Sequence, residues 1–106
     1  MKEFKLSESG ARGWFVGDFA EAVFRTKDFE VGIQTNPRSQ CASHYHTEIT
    51  EITLIVSGKV LTNGKLFGPG EGYILYPNDI SQSEYLQETT IISVKTPSIP
   101  HDKYLL

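Results

Sequence analysis

The run His44-Tyr45-His46-Thr47-Glu48-Ile49-Thr50-Glu51-Ile52-Thr53-Leu54-Ile55-Val56-Ser57-Gly58 decides how this chain is read. Residues two apart on an extended strand project to the same face, so the imidazoles of His44 and His46 can meet at one point. Glu51 follows His46 at an odd spacing, which on a straight strand would send it to the opposite face. A reversal through Thr47-Glu48-Ile49-Thr50 removes the conflict. His44 and His46 then end one strand, Glu51 begins its hairpin partner, and all three face inward. Two imidazoles and a carboxylate suit a divalent ion of borderline softness, such as Zn, Ni, Fe or Mn.

The stretch after Glu51 carries a second message. Glu51, Thr53 and Ile55 share one face of the strand, and Ile52, Leu54 and Val56 share the other, so both faces are apolar in part. A strand of an open antiparallel sheet normally keeps one face polar. The second face is therefore expected to be covered, by the N-terminal strands or by another subunit, and a homodimer is the economical expectation.

Outward from this hairpin the sequence reads as strand and turn. Thr, Ile, Val, Tyr and Phe are frequent, and Gly and Pro recur at short intervals. Strands are predicted at 14–16, 20–26, 29–35, 42–46, 51–56, 59–61, 65–67, 72–76, 84–86 and 89–95. Asn63-Gly64 reads as a two-residue hairpin turn, because both residues tolerate positive φ. Gly68-Pro69-Gly70-Glu71-Gly72 and Tyr76-Pro77-Asn78-Asp79 are further breaks. Many short strands between such turns predict an all-β antiparallel sandwich or barrel.

The 106 residues are the length of one ordinary domain, and 39% hydrophobic with 22% charged residues is a composition that folds rather than stays disordered. No window has the roughly 18 apolar residues of a membrane-spanning helix, and the start MKEFKLSESG lacks the apolar stretch of a signal peptide. Ten basic against thirteen acidic residues, a formal charge of −3 and a pI near 5.5 argue against a nucleic-acid partner. One cysteine, Cys41, forms no internal disulfide, so a cytoplasmic location is expected.

The spacing His44-Tyr45-His46, four residues, Glu51, six residues, Gly58 resembles the first motif of the cupin family. The run Gly68-Pro69-Gly70-Glu71-Gly72 through Ser81 resembles, in degraded form, its second motif. The resemblance covers about residues 29 to 96, with predicted N-terminal strands at 13–26 and a tail at 97–106. It implies one domain folded as an antiparallel double-stranded β-helix, a jelly-roll barrel, commonly dimeric, with a metal or ligand pocket inside. Two departures stand out. Arg38 occupies the place of the Gly that usually opens the first motif, and the histidine of the second motif is missing. The best register puts Ser81 at that place, and a slip of one residue puts Gln82 there. A Gln carbonyl oxygen can ligate a metal, and a Ser hydroxyl is poorer.

The expected ligand set is accordingly His44, His46 and Glu51, with Gln82 as the fourth member, and the same three residues are the candidates for catalysis. Arg38 is expected to bind an anionic substrate. Of Tyr73 and Tyr76, which differ in parity, one faces the cavity, and Tyr76 is the candidate for substrate contact. Tyr45 points away from the histidine pair, Cys41 is a buried inert thiol, His101 is exposed, and the Pro97–Pro100 tail packs across a neighbouring subunit. Three functions fit: a metal-dependent enzyme acting on a small polar substrate, a metal-free sugar isomerase or epimerase, and a non-catalytic ligand-binding module. The C-terminal run loosely resembles small cupins that accompany polysaccharide and nucleotide-sugar enzymes, which tilts the substrate towards a carbohydrate or sugar nucleotide.

Overall fold

The computed structural model describes all 106 residues and is built from twelve strands and one short 3₁₀ turn, Leu6–Glu8. The strands are β1 (Trp14–Gly17), β2 (Phe24–Arg25), β3 (Glu30–Asn36), β4 (Ser39–Gln40), β5 (His44–Tyr45), β6 (Thr50–Ser57), β7 (Val60–Thr62), β8 (Lys65–Phe67), β9 (Gly72–Leu75), β10 (Ser83–Tyr85), β11 (Thr89–Thr96) and β12 (Tyr104–Leu105). A six-stranded sheet runs β2-β1-β3-β11-β6-β9, and a four-stranded sheet runs β4-β10-β7-β8. Strand β5 pairs with β12 and makes an isolated bridge, His44 with Ser81, to the segment that leads into β10. Every pairing is antiparallel except that of β1 with β2.

Strands β6 and β11 form the spine. Each is eight residues long and rich in β-branched residues, and they pair from Thr50↔Thr96 to Ser57↔Thr90. The predicted hairpin at Asn63-Gly64 joins β7 to β8 with φ of 49° and 80°, the left-handed conformation that suits a two-residue turn. Two predicted strands are shorter than expected. Of 20–26 only Phe24–Arg25 is strand, because the chain turns at Phe19–Ala22, where the Ala22 amide donates to the Phe19 carbonyl. Of 42–46 only His44–Tyr45 is strand, because β5 makes a single bridge, to Ser81 just before β10, and then feeds the turn into β6.

The parity of β6 is as the sequence predicts, yet the N-terminal strands do not cover its second face. Strands β1 and β2 extend the same sheet, so they cannot lie across it. Ile52, Leu54 and Val56 are 40%, 42% and 45% exposed. Inside the barrel, Ile55, Val60 and Ile91 form a small core against Phe67, Tyr73 and Tyr85. The rest of the inward surface is largely polar: Thr53, Thr62, Ser81, Ser83 and Ser93 are all buried.

Candidate metal centre

His44 opens its short strand at the bridge to Ser81, His46 opens the turn that follows, and Glu51 lies at the start of β6. The Nε2 atoms of His44 and His46 lie 3.9 Å and 3.5 Å from the same carboxylate oxygen, Glu51 Oε1. One ligand atom from each of the three residues falls within 4.8 Å of the other two, so the group could hold a metal ion. His46 Nε2 is buried and has no hydrogen-bond partner. A buried polar nitrogen without a partner is costly, and an ion between the three residues would relieve it. Burial opposes the Glu51 charge, but the two facing histidines and the nearby Lys95 charge outweigh it. The carboxyl is held well below the usual carboxylate range.

The orientation of His46 is set from the far end of the chain. Its Nδ1 meets the backbone carbonyl of Asp102, which fixes the proton on Nδ1 and leaves the Nε2 lone pair free for a ligand role. The Asp102 side chain clamps the turn between β5 and β6. Oδ1 accepts from the Thr47 amide and hydroxyl, and Oδ2 from the Glu48 and Ile49 amides, at 2.6–3.0 Å. Burial opposes its charge, but these bonds together, first that of the Thr47 hydroxyl, outweigh it, and the carboxyl is lowered to about 2. Strand β12 then pairs with β5, and the Tyr104 ring stacks on Tyr45 at 5.3 Å.

A cavity of about 410 Å³ opens beside the three residues, lined by His44, Glu51, Tyr73, Ser81 and Tyr85 among others. Its rim carries Arg12, Trp14, Lys95 and Lys103, which also line an adjoining recess of about 350 Å³ on the His46 side. Lys95 Nζ sits 4.7 Å from the centre of the Trp14 ring.

No family model matches the sequence, and neither does any curated protein. Solved structures do match. A double-stranded β-helix protein from Klebsiella pneumoniae superposes over 98% of this chain and 90% of its own, with a TM-score of 0.70 at 19% identity. A cupin protein from Bacteroides fragilis covers 74% of each chain, with a TM-score of 0.58 at 20% identity. The chain has the cupin fold. Pac13, a nucleoside dehydratase from Streptomyces, superposes over 100% of this chain and 91% of its own, with a TM-score of 0.73 at 12% identity. At these identities the likeness is one of fold.

Within the cupin barrel the remaining expected residues are not all at the cavity. Ser81 stands opposite His44, is 4% exposed and lines the cavity. Gln82, expected as fourth ligand, lies outside the cluster: it is exposed, and its backbone amide donates to Asn63 Oδ1. The parity of the strand decides this, since neighbours of an inward Ser81 face out. Arg38 is exposed in the loop before β4 and lines neither the cavity nor the recess. Tyr76 is 60% exposed beyond the end of β9, while Tyr73, of opposite parity, faces the cavity. Cys41 is half-buried beside Tyr85, and burial pushes its thiol up. The tail takes part at the site directly: Ser98, Asp102, Tyr104 and Leu106 all bond within their own chain, and Asp102 reaches His46 and the ligand turn. The sequence reading missed Asp102, Arg12 and Lys103. Lys95 was legible by parity, since it alternates with Ile91 and Ser93 on β11.

Proposed function

We propose that the protein binds one divalent metal ion through His44, His46 and Glu51 and acts on a small polar molecule that enters the barrel. The observation that carries this is His46 Nε2, buried and unpartnered, aimed with His44 Nε2 at one oxygen of Glu51. Two neutral imidazoles and one carboxylate form an anionic donor set that fits a borderline dication. Ser81, beside His44, is a poor ligand, which leaves coordination positions open to a substrate. A bound divalent ion supplies Lewis-acid polarisation of a ligand oxygen. Tyr85 is kept protonated, because burial and then the neighbouring Cys41 raise its phenol, so it serves as a hydrogen-bond donor inside the cavity.

The hydroxyls of Thr53, Ser81, Ser83 and Ser93 around the cavity suit a polyhydroxylated substrate such as a carbohydrate or sugar nucleotide. That a nucleoside dehydratase shares the fold is in keeping with this reading. The test is metal content per chain, by mass spectrometry on untagged protein, beside the His44→Ala/His46→Ala double variant. Near-stoichiometric metal that vanishes in the variant is expected. Protein that takes up no Mn, Fe, Ni or Zn, or a variant that keeps its metal, overturns the reading.

We further infer that two copies pair through the outer face of the large sheet. Cross-strand neighbours there form an unbroken apolar row: Val16, Val31, Val94, Ile52 and Ile74. A second row holds Ile33, Ile92 and Leu54. A continuous apolar face of this kind is an association surface.

A further inference from the structure

We propose that the cavity recognises the carboxylate of a small organic acid through Arg12 and Lys103, with Lys95 beside them; placing the other end of that acid at His44, His46 and Glu51 rests on the metal reading above. The first ground is charge. The chain is net negative, yet this rim gathers three cations. The ion pairs of the protein are Arg25 with Asp18 and the two histidines with Glu51, and none involves the rim cations. Glu51 is the one carboxylate lining the cavity. The adjoining recess adds Glu21, Glu30 and Asp102, and both Asp102 oxygens are already taken. Lys95 stands in a cross-strand row between Glu30 and Glu51, so it is the most compensated of the three. Glu21, the remaining recess carboxylate, forms no ion pair with either cation, so Arg12 and Lys103 are left to meet an anion.

The second ground is the backbone at Arg12. Ala11 and Trp14 exchange both of their backbone hydrogen bonds, at 2.8 and 2.9 Å, around a two-residue turn of Arg12 and Gly13. Both turn residues have positive φ, 51° and 89°. Such turns strongly favour Asn-Gly. The same chain uses Asn63-Gly64 for the equivalent turn at its outer hairpin, with φ of 49° and 80°. An arginine in the left-handed region is a poor choice for the turn, and its position at the cavity rim supplies a reason for it.

The third ground is the wall beside it. Trp14 packs over Gly32, where a Cβ would lie 2.7 Å from the indole, so glycine makes room for the ring. The ring in turn holds Lys95 and offers an apolar surface to a carbon skeleton. The guanidinium fork matches two oxygens of a carboxylate or of a phosphate alike. What favours the carboxylate is the lack of a phosphate cradle. A helix N-terminus, the usual phosphate cradle, is missing, since the one helical segment is the three-residue turn Leu6–Glu8.

The variant Arg12→Asn restores favoured turn chemistry while deleting the charge, so it separates recognition from folding. Calorimetric titration of metal-loaded protein with lactate, succinate and glucuronate, and with their neutral amides, reads the specificity. The acids are expected to bind and the amides not. Arg12→Asn/Lys103→Gln is expected to weaken the acids by about ten-fold or more, with an unfolding temperature no lower and metal content unchanged. Equal binding of the amides, no binding of any acid, unchanged affinity in the double variant, or inorganic phosphate binding more tightly than every acid overturns the proposal. Metal content is read separately: a protein that holds metal but ignores the acids keeps the metal reading alone. One that takes up no metal is titrated as isolated, and discrimination of acid from amide there keeps the rim cations alone.

Discussion

Glu51 is the residue on which the candidate centre turns, because both histidines address the same one of its oxygens. Replacing it by Gln keeps shape and hydrogen-bonding capacity but removes the negative charge that makes the donor set anionic. Glu51→Gln is expected to lose most of its bound metal while staying folded, as read by metal content beside circular dichroism. Retention of wild-type metal would show that the two imidazoles suffice. At this scale the sequence was informative: the spacing of His44, His46 and Glu51 placed all three side chains correctly once the turn at 47–50 was assumed. What it could not show was the proton on His46, since the carbonyl that fixes it belongs to Asp102. Gln82 illustrates the opposite error, a residue chosen for its chemistry whose strand parity faces it away.

Among the elements, the turn between β5 and β6 and the tail that holds it form one unit. Strand β5 is two residues long and cannot position a ligand by its own ladder. The four hydrogen bonds to Asp102 do so instead. Asp102→Ala leaves three amides and a hydroxyl without their acceptor, and is expected to cost about 2–4 kcal/mol of stability and to weaken metal binding; Asp102→Asn falls between. Denaturant unfolding followed in parallel with metal titration checks both. The pH dependence has a definite sign. The Asp102 carboxyl is lowered from 3.8 to about 2 in the folded protein. Its contribution is complete above pH 4 or so and is lost as pH falls towards 2, and Asp102→Asn should flatten that part of the acid unfolding curve. The longer strands were legible from alternation and turn residues. The tail was not, because a Pro-flanked segment of mixed polarity carries no period, and its fastening depends on a contact 56 residues away.

Over the whole molecule, apolar side chains are divided between the small core and the outer face of the large sheet. The large sheet presents Val16, Val31, Val94, Ile52 and Ile74 outward and Glu30, Lys95, Glu51 and Leu75 inward along neighbouring rows. The alternation alone showed that both faces of β6 are partly apolar, and it could not say that the N-terminal strands would join the sheet instead of covering it. A pairing of two copies through that face predicts a dimer in sedimentation velocity and a monomer for Ile52→Asp/Leu54→Asp. The metal content of that variant should be unchanged, since both residues point away from the barrel. A wild-type monomer would overturn the pairing.

The clamp at Asp102 also imposes an order on events during synthesis. A nascent chain that has already produced His44, His46 and Glu51 still lacks the carbonyl that orients His46 and the carboxylate that closes the ligand turn. On such a chain the three candidate donors would be free to swing and to take whichever ion is nearest. Only when the segment carrying Asp102 has left the ribosome can folded geometry, in place of the surrounding pool, select the ion that the proposed centre would hold.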